Sequence, residues 1–302
     1  MSHWQPPAKG QSTEGDKDAS ITRSSIWYKD GSIVLQAQNT QFRVYWGLLS
    51  QNSSFLRDLE DLPQPPDQPT VDGCPVIELP DDAIDVEFVL KALYSPTFLC
   101  QASLPFAAVA AYIRLGRKYD FKELFDSAEF EARLVGSEYA PPRIISSSGS
   151  YFDTVTLLSE NRLWSLLPCA CFRLVTVHTA AGLERSHPCL QLDLRRCVAG
   201  RERLFTKQFE SGYTFGWRRG WVSACSSFGC SPERLAIVEA YSTNACLLSV
   251  PEELSFVYAR LCPACCEKLK PAMLAGFKKL WEELPRAFDM PASSWDELKN
   301  DP

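Results

Sequence analysis

Two short stretches hold the residues best suited to chemistry. CSSFGC carries Cys225 and Cys230, and CPACC carries Cys262, Cys265 and Cys266. A Cys-x4-Cys pair and a Cys-x2-Cys pair can present four thiolates to one tetrahedral cation, and Cys-Pro-x-Cys is a common zinc-knuckle form. Four sulfur ligands leave no open position for a substrate, so such a zinc would be structural. The competing reading is that these are buried free thiols behaving as small apolar side chains, because a chain with 12 cysteines produces close pairs by chance. Cys169-x-Cys171 with His178 is a further grouping to weigh.

Catalytic chemistry finds less material. Of the three histidines, His3 stands near the start of the chain, and neither His178 nor His187 accompanies a nucleophile motif such as Gly-x-Ser-x-Gly. No catalytic residue is assigned, and the chain is not expected to be an enzyme. No His-x3–5-His pair exists, so a DNA-reading finger of the two-cysteine, two-histidine type is excluded. A net charge of −6 and a pI of about 5.3 disfavour direct nucleic-acid binding. Residues 1–25 are polar and lack the apolar stretch of a secretory signal, so they read as a disordered tail. The longest apolar run, 166–183, is interrupted by Arg173 and His178, and no membrane span is expected. Cysteines without a signal point to reduced thiols and a cytoplasmic or nuclear location.

Elements must hold those cysteines in place. Strands are expected at 33–37 and 42–45, joined by the polar turn Gln38-Asn39-Thr40, and a third at 75–79. Leu48, Leu49, Phe55, Leu56 and Leu59 suggest one short helix. Pro80-Asp81-Asp82 opens another, with Val86, Val89, Leu90 and Leu93 on one face. Two more run from Pro105 to Tyr119 and from Phe121 to Arg133, meeting at Asp120, and Arg114, Arg117 and Lys118 form a solvated face there. EYAPPRIISSSGS, 138–150, reads as a linker. Beyond it the periodic segments are helical: 193–205, a helix opened by Ser231-Pro232-Glu233 with Ser231 as cap, and one carrying Met273, Phe277, Leu280, Trp281 and Leu284. The fold class is α+β, in four parts: the tail, a mixed-sheet domain over 26–137, the linker 138–150 and a mainly helical domain over 151–302 that contains both cysteine groups.

The order strand, strand, helix, strand, helix and closing helical pair over 26–135 resembles a BTB/POZ domain. GSIVLQAQNTQFRVYWGLLS is similar to its opening hairpin and first helix, IELPDDAIDVEFVLKALY to its third strand and next helix, and LGRKYDFKEL to its closing pair. The whole chain resembles the large BTB-domain family of mushroom-forming fungi, through the DGSIVLQA and FRV start, GCPVIEL, LGRKY and a WEELP ending. Tyr45, Trp46 and Ser32 depart from the polar groups usual in that domain.

The resemblance implies a protein-interaction module that binds protein partners and forms homodimers through its first helix. Leu48, Leu49, Phe55, Leu56 and Leu59 are the expected interface, being more apolar than a short helix beside proline-rich loops needs for its own core. It also raises two other roles: substrate adaptor of a cullin-type ubiquitin ligase, and transcription-associated regulator. SPTFLCQASLPF lacks the glutamate of the usual cullin-contact signature, and no basic import run stands out.

Overall fold

The computed structural model describes residues 20–60, 62, 67–99, 104–133, 151–178, 182–183, 191–219, 225, 229–243 and 261–300. The α+β class is as expected: a five-stranded mixed sheet followed by helices. The strands are β1 (Thr22–Trp27), β2 (Ile33–Ala37), β3 (Thr40–Val44), β4 (Thr70–Val71) and β5 (Cys74–Leu79), in the order β1-β3-β2-β5-β4. β2 and β3 form the expected hairpin, in register from Ile33 opposite Val44 to Ala37 opposite Thr40. β2 is the central strand and also pairs in parallel with β5, which places the VIEL stretch inside the sheet between β2 and the edge strand β4.

The sheet buries Ile33, Leu35, Phe42 and Val44 under helices, while Val34, Cys74 and Val76 form a smaller apolar cluster with Trp27 and Val71. Side chains of one strand thus divide between the two faces of the sheet. The β4–β5 hairpin turns through Asp72 and Gly73, with φ of 50° and 77°. Two successive left-handed residues make the tight turn that matches strand twist, and Asp-Gly supplies them at low cost.

Two expectations need correction here. Order starts earlier than a tail over 1–25 allows: β1 begins at Thr22 and pairs in parallel with β3, with Thr22 opposite Thr40. A polar strand forms there because β3 offers a free edge whose backbone groups need partners. The single helix expected around 48–59 is two, α1 (Trp46–Asn52) and α2 (Ser54–Glu60), separated by Ser53. The buried Ser53 hydroxyl donates to the Tyr119 carbonyl and accepts from the Leu56 amide at 3.0 Å. It therefore caps α2 while tying the break to a distant segment.

Next come α3 (Ala83–Tyr94), α4 (Pro96–Leu99), α5 (Phe106–Lys118) and α6 (Lys122–Arg133). Asp82 caps α3 as read, its carboxylate accepting from the Ile84 amide at 2.8 Å. Pro105 is the cap residue of α5 rather than its first turn. Helix α5 runs through the core, with Ala108 to Ile113, Leu115 and Gly116 all buried. The turn into α6 passes through Asp120 at φ 51°. The cations of α5 are partnered rather than merely solvated. Arg114 makes a two-pronged pair with Asp85 at 2.8 Å, Lys118 pairs with Asp81 at 2.6 Å, and Arg117 donates to the Asn161 carbonyl.

That last bond reaches the helical half: α7 (Tyr151–Glu160), α8 (Leu167–Val177), α9 (Gln191–Lys207), α10 (Cys230–Thr243), α11 (Pro263–Glu282) and α12 (Leu284–Ala287). One continuous apolar core joins Phe42 and Tyr112 on one side to Phe172, Phe277 and Phe288 on the other. The expected linker 138–150 lies outside the described residues. Helix α8 is short and buried, and among the described residues no helix is long and apolar enough to cross a membrane.

Candidate metal centre

Helices α10 and α11 supply three of the four cysteines at their starts. Cys230 is the first residue of α10, one position before the expected Ser231 cap, so Ser231 lies inside the helix instead. Glu233 remains in the first turn, where an acid complements the free amides. Cys262 is the cap residue of α11, Pro263 follows in the first turn, and Cys265 lies two residues further on. Pro263 fits because its missing N–H would have no intrahelical partner there. Gly276, further along α11, lets that helix approach Tyr213 and Thr214: a Cβ would lie 2.2 Å from the Tyr213 backbone.

The two pairs converge. The sulfurs of Cys225, Cys230, Cys262 and Cys265 all lie within 4.8 Å of one another. A regular tetrahedron with metal–sulfur bonds of about 2.3 Å has sulfur–sulfur edges of about 3.8 Å. Cys225 Sγ and Cys262 Sγ stand 3.8 Å apart. All four are free thiols, and the spacing is that of ligands around a cation rather than of bonded pairs. The four cysteines assigned from sequence are thus brought together, and they are close enough to bind a metal.

The surroundings favour sulfur carrying negative charge. The Cys262 amide donates to Cys230 Sγ at 3.3 Å, and the Arg234 guanidinium lies 3.9 Å from Cys265 Sγ. Both helix starts direct their positive ends at the sulfurs. Opposing this, burial and then the adjoining thiols of Cys225, Cys262 and Cys230 push the Cys265 thiol up to about 12. A bare thiolate is therefore costly at this spot, and a divalent cation is the natural compensation. Cys266 is adjacent but turns to the Leu261 carbonyl at 3.6 Å. The centre rests on a small separate core of Phe215, Cys230, Leu261, Cys265, Leu269 and Met273.

The alternative grouping is not assembled. Cys169 and Cys171 are buried in the main core, where burial pushes Cys169 up to about 12, and Cys171 neighbours Cys197 on α9. His178 instead packs on Phe152 and Tyr151, with ring centroids 5.0 and 6.4 Å away. His187 lies outside the described residues.

The five expected interface residues are split. Leu49 and Leu56 belong to the chain's own core, at 0% and 3% exposure, so the expectation that they face a partner is corrected. The α1–α2 pair turns these two inward onto the sheet-and-helix core that also holds Leu35, Val86 and Leu115. Leu48 and Leu59 are half-buried, whereas Phe55 is 47% exposed with its ring 5.4 Å from that of Tyr119. Leu48 also lines a groove of about 300 Å³ with Leu93, Phe121 and Leu124.

Sequence reasoning missed a charged cleft of about 750 Å³ between α9 and α12. Its groups largely satisfy one another. Arg203 pairs with Asp289 at 2.7 Å, and Glu283 pairs with Lys207 and accepts from the Tyr213 hydroxyl at 2.8 Å. Burial acts to raise the Glu283 carboxyl, but those two donors outweigh it and hold the carboxyl below its ordinary range. Its cations and carboxylates alternate along α9, a pattern that reads in sequence as a solvated face.

No protein-family model matches the chain, and a search of curated proteins gives no match.

Proposed function

We propose that this chain is a protein-interaction scaffold or adaptor without catalytic chemistry of its own. In this reading 26–137 is a BTB/POZ-type module that pairs with a second copy. The helical half is held by one structural zinc ion bound to Cys225, Cys230, Cys262 and Cys265. When bound, the zinc supplies a cross-link between the starts of two helices, with no open position for substrate.

The observation that carries the interaction reading is Phe55, 47% exposed beside half-buried Leu48 and Leu59 on adjoining short helices. Covering a Phe or Leu contributes roughly 1.5–3 kcal/mol each. Because all three are partly covered already, each adds only a fraction of that, and in this reading they form the apolar centre of a larger interface that must also meet the cost of association.

Light scattering of the full chain at micromolar concentration tests it. The wild type is expected at the mass of a dimer, and Phe55→Asp at the mass of a monomer that keeps the wild-type helical content. A wild type that is monomeric throughout removes the pairing surface from the proposal. Affinity purification in which a cullin co-purifies would move the assignment to a ligase adaptor.

A further inference from the structure

The four sulfurs differ in what surrounds them, and the difference singles out one residue outside the ligand set. Four thiolates around one divalent cation leave two negative charges uncompensated. Cys230 Sγ receives the Cys262 amide at 3.3 Å, and Cys262 and Cys225 are partly exposed, so water can reach that side. Cys265, at 3% exposure, is about as buried as Cys230 at 2%, and packs with Phe215, Leu269 and Met273. Excess charge on that sulfur has little access to solvent, and the positive group beside it is a side chain rather than the Cys262 amide. Arg234 Nη1 lies 3.9 Å from Cys265 Sγ.

The placement follows from helix geometry. Arg234 stands four residues after Cys230 on α10, so ligand and cation share one face of that helix. Its guanidinium thereby spans from the helix that carries Cys230 to the helix that carries Cys265. An outer residue donating to a ligand fixes the ligand's orientation and offsets its charge.

We infer that Arg234 is the positioning residue of a zinc centre formed by Cys225, Cys230, Cys262 and Cys265, orienting Cys265 and balancing the charge on its buried sulfur. This rests on the zinc reading proposed above. Arg234 touches no metal and acts only through Cys265.

Full-length wild type, R234Q and R234K, each loaded with zinc, should be compared by competition against a chromophoric chelator. Cobalt substitution reports the thiolate geometry through its sulfur-to-metal absorption. R234Q is expected to weaken zinc affinity about 10–100-fold and to shift the cobalt–thiolate absorption. R234K, which keeps the charge but loses the planar fork, should recover much of the loss. Metal-free wild type and R234Q should melt alike. Equal zinc affinity in wild type and R234Q overturns the role of Arg234 and leaves the zinc centre standing. A wild type that takes up neither zinc nor cobalt overturns both. If R234Q lowers affinity only by destabilising the metal-free chain, with no rescue in R234K, Arg234 is merely structural and the inference fails. Should R234Q not fold, the same comparison is made with R234K alone, which must then bind zinc more weakly than wild type.

Discussion

The sheet-bearing half and the cysteine centre reach order by different means. Around the sheet, Phe42, Leu49, Leu90, Tyr112 and Ile113 are all at most 1% exposed and belong to a core that continues into Phe172 and Phe277. Burial of that kind stabilises an element without help from any ligand. Among the described residues, the centre at the starts of α10 and α11 has a core of six buried residues, two of them cysteines of the cluster. Two of its six apolar positions therefore contribute thiol sulfur where a self-sufficient core would place a larger side chain. A small unit with so little to bury needs a staple, and the four converging sulfurs are suited to hold one. In the zinc reading proposed above, the lesson is that the same chain uses hydrophobic burial around the sheet and ligand geometry at the cysteine centre.

The largest expected effect comes from removing that staple. Zinc in isolated finger peptides contributes apparent binding free energies of about 10–16 kcal/mol, all of it folding free energy. Chelation, or Cys262→Ser, should leave the centre locally unfolded, with hydrogen exchange at Leu269 and Met273 accelerated by orders of magnitude. Exchange at Val34 and Phe42 should stay as it was. Acceleration at both places would abolish the distinction between the two regions.

The reverse experiment is a cavity in the large core. Phe42→Ala should cost about 3–5 kcal/mol and lower the main thermal transition. Zinc content should be unchanged at temperatures below that transition. Loss of zinc in folded Phe42→Ala would show that the centre leans on the sheet.

Alkaline pH provides a gentler probe. Burial pushes Cys169 up to about 12 and Tyr94 up to about 12, each from a lower ordinary value. The folded chain then keeps protons that the unfolded chain releases, so these groups favour folding fully below about pH 9. That advantage fades as the pH rises towards 12. Urea midpoints should therefore be flat from neutral pH to about 9 and fall above it. A midpoint that rises over the same interval contradicts the buried, protonated state of both groups.

The smallest effect is at the surface of α3 and α5. Asp85→Ala removes the Arg114 pair at 2.8 Å, in which Arg114 is 44% exposed. Exposed pairs contribute about 0.2–1 kcal/mol. A loss above about 2 kcal/mol would mean that this contact does structural work well beyond that of an ordinary surface pair.

Legibility in the sequence follows the same division. The β2–β3 hairpin, β5, the Asp82 cap of α3 and helix α11 could be read because each announces itself within a few residues, by a β-rich run beside a polar turn, by a capping carboxylate or by apolar spacing. The polar strand β1 could not, since TRSSIW forms only because β3 offers it an edge. The Ser53 break was equally hidden, because its hydroxyl partner is the Tyr119 carbonyl far along the chain. The four cysteines were legible as two pairs from spacing alone. Their convergence required the path of the chain between them, and the part played by Arg234 required the facing helix. Among the five apolar residues of α1 and α2, sequence could count the surplus but not say which side chains turn inward. That depends on where the two helices break and lie.

Metal analysis of the purified full-length chain, beside Cys262→Ser prepared identically, tests the central claim most directly. The account predicts close to one zinc per chain in the wild type and almost none in the variant. A wild type holding less than about a tenth of an equivalent, after purification without chelator, would contradict it and leave the four sulfurs as buried free thiols.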